Sequence, residues 1–161
     1  MEISKLNNNI TPSGTMAISN KARILKEQGK PVIGFGAGEP DFPTPSHVIE
    51  EVKIASENPA YHKYTAVGGL PILRDEISRT TKKYSNFEID PDNVVVTNGG
   101  KQAILTTFMS LLDPGDEVLI PSPYWTTYPE AVKISGGEPV IVNTDFENDF
   151  KVTVEQLEEK F

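Results

Sequence analysis

The chain contains no cysteine and two histidines in 161 residues. Without cysteine there is no disulfide staple, no thiolate metal site and no cysteine nucleophile, which fits a cytoplasmic protein. His47 and His62 stand outside any metal-ligand spacing, so no metal is expected. No apolar run approaches the roughly 20 residues that span a bilayer. The polar start Met1-Glu2-Ile3-Ser4-Lys5 has no signal-peptide core, and no membrane partner is expected. A net charge of −8 with no Lys/Arg cluster argues against a nucleic-acid surface. No carboxylate pair or Ser/His/Asp set stands out as carrying chemistry unaided, and no residue here is assigned a catalytic role.

What is present is an ordinary globular composition, 37% hydrophobic and 24% charged. Residues 1 to about 14, with Asn7-Asn8-Asn9, Pro12 and Gly14, read as an extended arm. A helix is expected from Thr15 to Gly29, and Pro31-Val32-Ile33-Gly34-Phe35 reads as an extended segment. The prolines of Gly36-Ala37-Gly38-Glu39-Pro40-Asp41-Phe42-Pro43-Thr44-Pro45 forbid regular structure there. Thr44 is expected to cap the next helix with Pro45 at its first position, and Asn58-Pro59 to stop it. A third helix is expected over about 70–84.

From about residue 92 the pattern alternates. Strands over 94–97, 117–120 and 139–142 are separated by helices over about 100–112 and 124–134, the signature of a parallel α/β sheet. Asp113-Pro114-Gly115-Asp116 is turn chemistry, and Gly136-Gly137 ends a helix. Thr153-Val154-Glu155-Gln156 is a capping box opening a last helix, with Leu157 and Phe161 four apart.

The most informative junction is Val94-Val95-Val96-Thr97-Asn98-Gly99-Gly100-Lys101-Gln102-Ala103. A strand breaks at two glycines and restarts at once as a helix, leaving bare N–H groups that suit an anion such as phosphate. A helix start with no ligand is the alternative. The Walker spacing is absent, so a nucleoside triphosphate is not expected. Gly34-x-Gly36-x-Gly38 resembles a dinucleotide fingerprint only superficially, because its prolines keep it from running into a helix. Trp125, the one tryptophan, follows a predicted strand, where it can stack on a flat ring or fill a core. The phenol of Tyr64 can reach a phosphate or simply be structural.

Four blocks in this order resemble class I pyridoxal-phosphate aminotransferases, most of all the bacterial and archaeal aspartate aminotransferases. They are Gly36 to Pro45; Tyr64-x4-Gly69-x3-Leu73-Arg74; Thr97 to Ala103; and Leu112 to Val118 with Pro121-x-Pro123-Tyr124-Trp125-x2-Tyr128-Pro129. The resemblance implies an α/β chain: an N-terminal arm and helices, then the first part of a mainly parallel sheet. Residues 1–44 would be the arm and part of a small domain, and 45–161 the first part of the large cofactor-binding domain. It also implies pyridoxal 5′-phosphate as cofactor, with its phosphate on the backbone of Gly99, Gly100 and Lys101 and its ring against Trp125. Gly38 would meet the substrate carboxylate through its backbone, with Trp125 beside the substrate. Tyr64 would reach the phosphate held by the other subunit of a homodimer, and the arm would pack on that partner. The substrates would be an amino acid and a 2-oxo acid.

Family members are more than twice as long. The resemblance places the cofactor-holding lysine, the pyridine-pairing aspartate and the substrate-carboxylate arginine beyond Phe161. The first strand would stand apart from the next two, separated by strands not present here. The chain alone is therefore expected to be inactive. A carbon–sulfur lyase or other β-elimination on the same scaffold, or a non-catalytic product that only associates with a partner, are the alternatives.

Overall fold

Apolar residues at helical spacing, cut off by glycine, asparagine or proline, set the first three helices. α1 (Gly14–Glu27) closes at Gly29, whose N–H bonds the Lys26 carbonyl at 2.9 Å while the Lys30 N–H reaches Leu25 at 3.1 Å. This paired closure is what glycine after a helix permits. α2 (Ser46–Glu57) stops at Asn58, whose side chain accepts the Ala60 N–H as a 3-10 turn begins at Pro59. α3 (Pro71–Ser85) ends on left-handed Asn86. The computed structural model describes residues 4–36 and 38–160, so Ala37, and Phe161 with its expected pairing to Leu157, lie outside the described residues.

The Thr44 cap is not made. Pro45 itself takes the cap position, and its carbonyl accepts the N–H groups of Val48 (3.0 Å) and Ile49 (3.2 Å). The arm is not wholly extended either, since Lys5–Asn9 coil into a 3-10 turn.

The described residues form two compact units, one within 15–97 and one of residues 4–14 with 98–160. In the first, α3 is stitched to the segment that follows it. Arg74 donates to the Pro91 carbonyl and to the Asp92 carboxylate, both at 2.8 Å, and the Ser78 hydroxyl donates to the Ile89 carbonyl. The backbone of 94–97 runs on from there, with Val94 buried. It does not form the expected strand. A strand needs a ladder, and among the described residues none runs beside it; the Val96 N–H instead bonds the Gly68 carbonyl at 2.9 Å. Gly69 lies against this segment with φ +104°, and a Cβ there would stand 2.6 Å from Val96 Cγ2.

The second unit is built on α4 (Gly100–Leu111), β1 (Glu117–Ser122), α5 (Thr127–Ile134), β2 (Glu138–Asn143) and α6 (Val154–Glu158). β1 and β2 pair in parallel from Glu117↔Glu138 to Ser122↔Asn143, as the alternating pattern requires. The turn before β1 has Pro114 second and Gly115 third with φ +95°, and the Asp116 N–H closes it onto the Asp113 carbonyl at 3.1 Å. α5 packs on both strands, and Ala131, Val132, Ile120 and Val142 are buried. Burying a valine fully is worth about 1.5–3 kcal/mol, so Val132 and Val142 supply much of what holds this layer together. The Thr153–Gln156 capping box forms as expected, with reciprocal bonds of 3.0 and 3.2 Å.

The arm joins this unit at a carboxylate. The Thr11 N–H donates to Glu130 Oε2 at 2.9 Å, and Lys133 reaches Glu130 Oε1 at 3.1 Å. Burial pushes the Glu130 pKa up, but the Thr11 bond and Lys133 outweigh it and hold the carboxyl below its ordinary value.

The chain exposes 13281 Å². A globular domain of this mass, 17.7 kDa, exposes about 7,900 Å², and two separate globules of half that mass about 9,600 Å². Much apolar surface therefore faces water, including Met109, Leu111 and Phe146. No helix among the described residues is long and apolar enough to cross a membrane.

Two outcomes follow. Gly69→Ala is expected to lose about 1–3 kcal/mol in urea unfolding, from the clash and the positive φ together; a loss under about 0.5 kcal/mol would contradict that packing. A depressed carboxylate pKa stabilises the docked arm above the ordinary carboxylate value, and that contribution fades as pH falls through the folded value. Exchange protection of the Thr11 amide is thus expected to fall on acidification and to be absent in Glu130→Ala at every pH; equal protection in both proteins would contradict the contact.

Candidate functional site

The site is assembled at the start of α4 and the carboxyl end of β1. Gly99 caps α4 with φ 84° and ψ 166°, a backbone region open essentially to glycine alone. The first regular bond of the helix runs from the Ala103 N–H to the Gly99 carbonyl at 3.3 Å. The N–H groups of Gly100, Lys101 and Gln102 precede it and have no carbonyl of their own helix to reach. Added Cβ atoms at Gly99 and Gly100 would meet nothing within 4 Å, so no neighbour crowds the Cβ side of these two glycines. The helix start thus carries three donors and the positive end of the helix dipole.

Gln102 was not singled out by the sequence reading, yet it organises the junction. Its side-chain oxygen accepts the Asn98 N–H at 2.6 Å, one residue upstream of the usual capping-box partner. Its place three residues after the capping glycine was the available signal. The bond fixes the chain on its way into the helix and leaves the later N–H groups free of that side chain.

Trp125 lies in the loop between β1 and α5. The helix begins at Thr127, three residues later than expected. Pro129 has no N–H to give the Trp125 carbonyl, which takes the Tyr128 N–H at 3.0 Å instead, so the regular helix cannot include Trp125. The Ser122–Pro123 peptide in this loop is cis. Trp125 is 46% exposed, so it does not fill a core among the described residues. Tyr128 meets it edge-on, with centroids 6.0 Å apart and planes at 87°. The Lys101 ammonium stands 5.3 Å from the indole centroid, so the structure brings Gly99, Gly100, Lys101 and Trp125 into one neighbourhood.

Beneath the tryptophan runs an open apolar cleft of about 490 Å³, lined by Phe108 of α4, Leu119 and Pro121 of β1, and Tyr124, Trp125 and Tyr128. It lies on the strand edge away from β2. The Asp116 carbonyl accepts the Glu138 N–H at 2.8 Å, so even-numbered backbone groups serve the ladder and Glu117, Leu119 and Pro121 turn theirs outward. Pro121 offers no donor there.

Tyr64 and Gly38 belong to the other unit. The Tyr64 ring is fully exposed within the described chain, and a Cβ at Gly38 would meet nothing within 4 Å. Among the described residues there is no cluster of His, Asp or Glu that would hold a metal.

Comparison with known proteins bears on this geometry. Residues 30–161 match the family described as aminotransferase class I and II. The aspartate aminotransferase of Streptomyces avermitilis is 54% identical over 149 residues, which are 92% of this chain and 36% of that protein. That of Geobacillus stearothermophilus is 47% identical over 159 residues, 99% of this chain and 40% of that protein. The chain thus spans about two fifths of the length of these relatives. The aspartate aminotransferase of Thermus thermophilus, solved with maleate, superposes with a TM-score of 0.92 at 37% identity over 100% of this chain and 42% of that one.

The two glycines should respond differently to substitution. Gly99→Ala is expected to cost about 1–3 kcal/mol, purely from its backbone conformation. Gly100→Ala, with ordinary helical backbone and open space, should be neutral or up to about 1 kcal/mol stabilising. Equal effects in urea unfolding would contradict the junction geometry.

Proposed function

The chain belongs to the class I and II aminotransferase family, and on that premise we propose that its α4 junction holds the phosphate of pyridoxal 5′-phosphate. The observation that carries this reading is the conjunction of three helix-start donors, uncrowded glycines at 99 and 100, and an exposed tryptophan beside them. A phosphate ester on a flat ring fits both halves of that site at once. The N–H groups of Gly100, Lys101 and Gln102 bind the phosphate oxygens without a proton cost, and the helix dipole favours the double negative charge. Trp125 stacks on the ring and fixes its plane, while Tyr128 braces the indole edge-on. Gln102, held on Asn98, keeps the donors aimed.

When bound, the cofactor supplies an electron sink for the charge left at the substrate Cα once its proton is removed. Residues of this chain hold and orient it; none of them is assigned the proton transfer. The reading at family level is transamination between an aspartate-like amino acid and a 2-oxo acid in the cytoplasm. The Gly38 backbone meets the substrate carboxylate, and Trp125 lies alongside. Tyr64, exposed on its own unit, is free to reach the phosphate of a second subunit in a homodimer. In domain terms, residues 1–44 are arm and small-domain material, and the rest opens the large domain. The 161-residue chain alone is inactive in this reading, since Lys101 serves the phosphate and no other lysine is assigned to the cofactor.

The test uses the fluorescence of Trp125, the one tryptophan, during titration with pyridoxine 5′-phosphate and with pyridoxine. Neither carries an aldehyde, so lysines elsewhere do not react. Saturable quenching that requires the phosphate is expected, and a separate assay of the chain with pyridoxal 5′-phosphate, aspartate and 2-oxoglutarate is expected to show no turnover. Equal quenching by pyridoxine, or no saturation, would contradict the cofactor site; turnover would contradict the inactivity.

A further inference from the structure

Building on that reading of the site, we propose that the Lys101 side chain is a displaceable cover on Trp125 that selects phosphorylated rings over unphosphorylated ones. Lys101 occupies an unusual place. Its backbone N–H is one of the donors at the start of α4, while its ammonium stands over the indole, 5.3 Å from the ring centroid. One residue thus touches both halves of the site. An ammonium on an exposed aromatic face is held by the ring quadrupole, a contact worth about two- to fivefold in an equilibrium constant. Trp125 is still 46% exposed with the ammonium in place, so the contact is at the surface and breaks without disturbing the fold.

A flat ring that needs the covered face must first push the ammonium away. An unphosphorylated ring gives nothing back, and the displaced charge returns to water. A phosphorylated ring brings its anion to the helix start, where the same ammonium is within the compass of its own side chain and meets an opposite charge. The loss on one ring face is offset at the other end of the ligand. Selectivity then comes from both directions: the cover weakens bare rings and the freed charge strengthens phosphorylated ones.

The test compares wild type, Lys101→Met and Lys101→Arg in the full 161-residue chain. Without ligand, acrylamide quenching of Trp125 should rise in Lys101→Met and stay near wild type in Lys101→Arg. With ligand, Lys101→Met should bind pyridoxine about two- to fivefold more tightly and pyridoxine 5′-phosphate more weakly. Unchanged acrylamide quenching in Lys101→Met would overturn the cover, and saturable phosphate-dependent binding in the same protein would leave the cofactor reading standing. Raised quenching with both ligands weakened alike would overturn the selectivity. Raised quenching with no saturation by either ligand in wild type would sink the cofactor reading, and the selective role with it.

Discussion

The parallel pairing of β1 with β2 under α5 is the constraint on which the site depends. It is a small core: Ile120, Ala131, Val132 and Val142 are the residues of this layer that leave water. Among the described residues β1 pairs on one edge only, and the segment from Pro123 to Trp125 follows its carboxyl end and lines the open cleft. Gly137 shows how tight the other side is, since a Cβ there would lie 2.9 Å from Leu112 Cδ1 and 3.0 Å from the Asp116 carbonyl. That close approach draws the end of α4, the turn before β1 and the end of α5 together. The start of α4 and the tryptophan loop are thereby held at one end of the layer.

The contrast between the two edges of β1 accounts for the rest of the unit. Toward β2 the ladder is complete over six register pairs. On the other edge the backbone of Glu117 and Leu119 and the apolar wall of the cleft face outward. The total accessible surface of the chain also exceeds the value for a globular domain of its mass. It agrees with a chain that matches about two fifths of its relatives' length while superposing on one of them over its whole extent.

Local signals in the sequence carried far. Gly29, the 113–116 turn and the Thr153–Gln156 capping box are short-range chemistry, and each forms as written in the residues. The two strands at 117 and 139 were legible from their apolar runs between helices, and the glycine pair at 99–100 from its place between a β-branched run and a helical one. Features that depend on distant partners were not. The 94–97 segment has the composition of a strand, but composition does not supply a neighbour. The bond from Thr11 to Glu130 joins residues 119 apart and leaves no pattern. The contact of Lys101 with Trp125 depends on how α4 and the β1–α5 loop pack, which no spacing reports. Pro129 could have corrected the start of α5, since a missing N–H forbids the bond that an earlier start requires.

The central claim is that the helix-start donors form an anion cup in this chain as it stands. Amide NMR of the labelled protein during titration with pyridoxine 5′-phosphate tests it most directly. The account predicts that the N–H signals of Gly100, Lys101 and Gln102 move together, saturate at one affinity and move further than any other amides. Unmoved signals at these residues, or shifts spread over surface lysines with no saturation, would contradict it.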